Sequence, residues 1–102
     1  MIGDMLGNIG NYQEKLKQKL EELEVVEQSS GGEISVSMSA AKTIKDINID
    51  LSKVDLSESD QLEDLLLITI NKAQEKADDI AAKETQNILN DLLPPGMGNL
   101  FG

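Results

Sequence analysis

The chain has 102 residues, a net charge of −10 from 19 acidic and 9 basic residues, and 2% aromatic side chains. It contains no cysteine, histidine, tryptophan or arginine, which removes disulfides, thiolate or imidazole metal sites, and nucleophilic or near-neutral acid–base catalysis by Cys or His. Its length sets a single domain, and no apolar run approaches the roughly 20 residues of a membrane-spanning helix.

Residues 1–10 are punctuated by Gly3, Gly7 and Gly10 and read as a flexible start. They lack the positive start and apolar core of a secretory signal. Met5 and Ile9 extend the helical stripe that follows backward, which leaves open a helix start earlier than the glycines suggest. Residues 11–24 are predicted to be a helix: Tyr12, Leu16, Leu20 and Leu23 recur every three to four residues, and Asn11 suits the N-cap. Lys15 and Lys19 lie one turn apart on this helix, among Glu14, Glu21 and Glu22.

Residues 25–51 read as strands. Ser29-Ser30-Gly31-Gly32 is a turn. Ile34, Val36, Met38 and Ala40 then alternate with serines, which is the period of a half-buried strand. Ala41-Lys42 marks a hairpin tip, and Ile47, Ile49 and Leu51 alternate with Asp46, Asn48 and Asp50 in a second strand. Glu24–Ser29 fits a short edge strand.

A linker, 52–56, leads to a long helix over 57–93, which holds neither proline nor glycine. Ser57 and Asp60 resemble a capping box, and the acids of the first turns suit the helix dipole. Its apolar stripe (Leu62, Leu65, Leu66, Thr69, Ile70, Ala73, Ala77, Ile80, Ala81, Ile88, Leu92) is thick before Ala73 and thin beyond it. Pro94-Pro95 end the helix, because proline has no amide donor and clashes with the preceding turn. Residues 94–102 form a short tail carrying Phe101. A helix of this length spans roughly 55 Å, against a radius of gyration of about 13 Å for a compact 100-residue domain, so its distal half must project or lie on a partner.

A hairpin or three-stranded sheet covered by helices leaves the stripes Met5–Leu16 and Ala73–Leu92 without a partner in one chain. Small domains with neither disulfide nor metal commonly gain stability by oligomerisation. A two-fold homodimer is therefore expected, with projecting helical arms around a cleft.

No residue pattern supports an enzyme. Glu63-Asp64 and Asp78-Asp79 are adjacent pairs that diverge around the helix. Asp60/Asp64 and Glu75/Asp79 share faces and at best hold a divalent cation weakly; they read as solvated surface charge. A di-metal carboxylate bundle needs histidine, and no EF-hand loop is present. The serines lie outside any nucleophile elbow, and Gly31-Gly32 lacks the rest of a phosphate loop. No metal, cofactor or small-molecule substrate is expected. Lysines are the remaining candidates. Lys15 and Lys19 form one stripe, and Lys72, Lys76 and Lys83 form another. Such sparse stripes commonly are solvated surface; their functional reading is a phosphate-tracking edge on each arm.

The co-linear order of several short motifs carries a family resemblance. The lysine-rich first helix ends Leu23-Glu24-Val25. The strands Glu33-Ile34-Ser35-Val36-Ser37-Met38 and Ile47-Asn48-Ile49-Asp50 follow. Leu62-Glu63-Asp64-Leu65 and Asn71-x-Ala73 lie on the last helix, and Leu93-Pro94-Pro95-Gly96-Met97 ends it. With Met5-Leu6-Gly7-Asn8 at the start, the whole chain resembles the YbaB/EbfC family of bacterial nucleoid-associated proteins. The resemblance implies an α+β, α-β-β-β-α protomer with a small antiparallel sheet and two long helices, in an intertwined homodimer. It implies binding of double-stranded DNA in the cytoplasm and nucleoid, a role in nucleoid organisation and gene regulation, and neither catalysis nor cofactor. By position it points to Lys15, Lys17, Lys19, Lys72, Lys76 and Lys83 as the DNA-contacting residues. The alternative suggested by the net charge is an acidic structural or protein-interaction module that contacts basic protein partners.

Overall fold

The computed structural model describes residues 2–92, with side chains from residue 10 to residue 91. The chain runs α1 (Ile2–Glu22), β1 (Glu24–Gln28), β2 (Ile34–Ser39), β3 (Ile44–Ile49) and α2 (Ser59–Leu92). The sheet is antiparallel in the order β1-β2-β3. This is the expected α+β protomer with its third strand.

Both hairpins close by the same local device. Ser29 and Ser39 are buried, and each hydroxyl accepts a backbone N–H across its turn, from Ile34 at 3.0 Å and Thr43 at 3.2 Å. Three residues after each serine stands a residue with positive φ: Gly32 at 76° and Lys42 at 70°. Glycine takes that conformation without steric cost, whereas lysine does not.

β3 begins and ends earlier than the alternation around Ile47 suggested. A bulge sets Ser37 opposite Asp46 but Met38 opposite Ile44, leaving Lys45 as the extra residue. Ile44 and Ile47, three apart in sequence, are thereby brought to one face, because an inserted residue resets the period of two.

The core is small. Val25, Ile34, Val36, Met38, Ala73 and Ala77 form its buried centre, with Ile49, Leu62, Leu65, Leu66, Ile70 and Ile80 packed around it. The two alanines let α2 lie close to the sheet. Thr69 is also buried, and its hydroxyl donates to the Leu65 carbonyl at 2.7 Å, the usual way for a helix to satisfy an inward hydroxyl.

α2 packs over β1 and β2 rather than β3. Its 34 residues span about 51 Å, and the molecule measures 64 × 26 × 17 Å with a radius of gyration of 18.9 Å. The helix therefore overhangs the sheet. α1 packs along this overhang. The Leu23 carbonyl accepts from Ala40 N–H at the end of the sheet, while Lys19, a turn earlier, meets Glu84, further out on α2. The two helices thus run antiparallel in one arm.

Three expectations need correction. The helix starts at Ile2 instead of residue 11: the glycine cost of about 1 kcal/mol each does not outweigh a continuous helical register. Ser57 does not cap α2: the helix starts at Ser59, which puts Ser57 outside the capping position, where it is tied back by donating its N–H and hydroxyl to the Asp55 carboxylate, at 3.0 and 2.6 Å. From Leu16 onward α1 and distal α2 do have a partner within the protomer, since they pack against each other, with Leu16, Leu20, Ile80, Ala81 and Ile88 half-buried; the side chains of Met5 and Ile9 lie outside the described residues. The expected proline stop and tail, 93–102, lie outside the described residues.

Candidate nucleic-acid interface

Lys72, Lys76 and Lys83 are four and seven residues apart, so they fall on one flank of α2. Lys76 identifies that flank as the β1 side: its Nζ is 3.5 Å from Glu27 Oε1 on β1. Lys72 and Lys83 make no ion pair among the described residues, and all three are exposed.

On α1, Lys15 and Lys19 share a flank, with the Lys15 ammonium 5.8 Å from the centre of the Tyr12 ring. Lys17, two residues from each, points to the other side of the helix. No single face of the protomer can gather all six lysines. Lys19 is engaged at 2.7 Å by Glu84 Oε2 across the arm. Of the six sequence candidates, then, Lys15, Lys17, Lys72 and Lys83 carry no carboxylate partner among the described residues, and Lys19 and Lys76 do.

Two residues that bear on this charge pattern were absent from the sequence candidates. Lys42 stands at the β2–β3 turn, 2.5 Å from Asp78 on α2. Glu84 has a side chain only 16% exposed. Its signal was legible: Ile80, Glu84 and Ile88 keep four-residue spacing, which puts a carboxylate on the apolar stripe.

On its opposite flank α2 exposes a leucine, and β3 and the linker expose further large apolar side chains. Leu67 is nine residues before Lys76, about two and a half turns, and so occupies the β3-side flank of α2. It is 61% exposed; Ile44 and Ile47 on β3 are 44% and 42% exposed, and Leu51 and Leu56 in the linker 65% and 66%. The linker displays its leucines through a repeated turn. In Asp50-Leu51-Ser52 and Asp55-Leu56-Ser57 the aspartate accepts both the N–H and the hydroxyl of the serine two residues on. These bonds hold both carboxyls below the usual aspartate range.

Among the described residues no group of three or more carboxylates is placed to hold a metal ion, and no helix is long and apolar enough to cross a membrane.

Known proteins match this chain over nearly its full length. A model of the YbaB/EbfC DNA-binding family matches residues 1–92. A nucleoid-associated protein of Flavobacterium johnsoniae is 35% identical over 95% of this chain and 94% of its own. One from Rhodopseudomonas palustris is 38% identical over 92% and 93%. The crystal structure of an uncharacterized protein from Helicobacter pylori superposes with a TM-score of 0.75 at 22% identity, covering 86% of this chain and 92% of that one, which is a likeness of fold. With a family model spanning nine-tenths of its length and relatives above 30% identity over more than nine-tenths of both chains, the chain belongs to the YbaB/EbfC DNA-binding family.

Proposed function

We propose that this protein binds double-stranded DNA as a homodimer, by lysine–phosphate contacts on its helical arms, and so contributes to nucleoid organisation and gene regulation. The observation that carries the reading is the lysine flank Lys72, Lys76, Lys83 on an overhanging helix, in a member of a DNA-binding family. Lys15, Lys17, Lys72 and Lys83 supply the readily available contacts. Lys19 and Lys76 reach phosphate only by leaving their carboxylate partners. Lysine contacts of this kind read the backbone and not the bases, so sequence preference is weak. The apolar surface on the β3 side supports the dimer, because it lies opposite the lysine flank and can be covered without burying it.

Fluorescence anisotropy with a labelled duplex tests this. Binding at micromolar protein in about 50 mM salt, falling steeply towards about 200 mM, is the expected outcome. No binding at the lower salt refutes it. The net charge of −10 favours one second reading, an acidic module for basic protein partners. Pull-downs that recover basic proteins after nuclease treatment, with no duplex binding, would select it.

A further inference from the structure

Glu84 sits where the stripe of α2 calls for an apolar side chain, facing α1. It is 16% exposed, and its Oε2 is closed off from solvent. The Lys19 ammonium stands 2.7 Å away without the alignment of a hydrogen bond, and no other described group donates to that oxygen. Lys19 is thus the counter-charge of a carboxylate oxygen that water does not reach. The other two cross-element pairs differ. Asp78 is 58% exposed, so solvent can replace its lysine cheaply; Glu27 is 27% exposed and stands 3.5 Å from its lysine, a longer pair with neither oxygen left closed off and unbonded.

We propose that Glu84 acts as an internal phosphate surrogate: it holds Lys19 as the clamp between α1 and α2, keeps it from DNA, and so sets how many phosphate contacts the arm makes. This deepens, and rests on, the DNA-binding reading above. A lysine that swings to a phosphate gains a solvent-exposed, salt-screened contact. It leaves behind a carboxylate with one oxygen closed to water and no counter-charge, a loss that exceeds the gain of an exposed pair. Lys15, one turn earlier on the same flank, rests over Tyr12 and has no such obligation among the described residues. Lys19 is then a positioning residue, and Lys15 a contact.

The experiment compares duplex affinity across salt for the native protein, Glu84→Gln, Lys15→Met, and the double variant Lys19→Met/Glu84→Met, each checked for fold by circular dichroism. Glu84→Gln releases Lys19 and adds a contact. Its plot of log affinity against log salt steepens by about 0.9 per protomer, so affinity falls about 3.5-fold more per contact between about 50 and 200 mM. Lys15→Met flattens the plot by the same amount. The double variant replaces the pair with apolar side chains, which buried pairs commonly tolerate, and keeps the native slope. A purely structural clamp would change stability without changing the slope of Glu84→Gln. The proposal is overturned if the native protein binds and Glu84→Gln keeps its slope, or if the double variant loses as much slope as Lys15→Met. A native protein that does not bind at any salt overturns the DNA-binding reading instead.

Discussion

Leu67→Glu should split the dimer while leaving the protomer folded. Leu67 is 61% exposed on a helix that already carries many acids, so the substitution costs the isolated protomer little, within about 0.5 kcal/mol. In a two-fold dimer the change occurs twice. Covering the exposed part of a leucine is worth about 1.2 kcal/mol, taking about 2 kcal/mol for a whole side chain, or about 2.4 kcal/mol for both copies. That weakens association at least about 50-fold, before the cost of drying two carboxylates is added. The exposed parts of Ile44, Ile47, Leu51, Leu56 and Leu67 together amount to nearly three side chains per protomer. Two copies supply about 11 kcal/mol, the same order as the 4–15 kcal/mol that association costs, so the loss of one contact pair is visible. Sedimentation equilibrium across a dilution series reads the constant, with circular dichroism confirming the helices. An unchanged dimer constant in Leu67→Glu, or a native protein that stays a folded single copy at every concentration, refutes the assignment of this face.

Other predictions test the local chemistry. Ser29→Ala should lower stability by about 1–2 kcal/mol in chemical denaturation, because it strips a buried acceptor from the Ile34 N–H; Ser52→Ala, at an exposed turn, should cost under about 0.5 kcal/mol. If the two cost the same, burial is not what gives the hairpin bond its value. Lys42→Gly should stabilise by about 0.5 kcal/mol: relief of the positive φ, worth about 1 kcal/mol, outweighs a surface ion pair with Asp78. A loss above about 1 kcal/mol would mean that the pair matters more than its exposure allows. Asp50 and Asp55 are held low by the serine bonds, so their contribution is present above the ordinary aspartate value of about 3.9 and is lost as pH falls through their lower folded values. Carboxyl chemical shifts should show the 50–57 linker intact at pH 5 and loosening only below about pH 4; loosening at pH 5 would contradict the bonding.

Much of this molecule follows from spacing alone. The strand period around Ile34, Val36 and Met38, the glycine turn after Ser29, and the unbroken helical run before Pro94 needed no knowledge of tertiary contacts, because backbone geometry dictates which side chains share a face. The same arithmetic placed Lys72, Lys76 and Lys83 on one flank. What spacing misjudged were places where a local preference met a competing bond. Ser57 looks like a cap, but it is drawn into a turn with Asp55 and α2 starts two residues later. Ile44 looks out of phase with Ile47 until the bulge at Lys45 resets the strand.

Only the packed chain decided which lysines are spoken for. Glu84 and Lys19 are 65 residues apart in the sequence, and their meeting depends on α1 folding back along α2. The exposure of β3 is likewise a matter of where α2 lies on the sheet. Periodicity is a one-dimensional property of the backbone and is written in the residues; the pairing of charges and the uncovering of a face depend on how separate elements dock, which no local pattern contains.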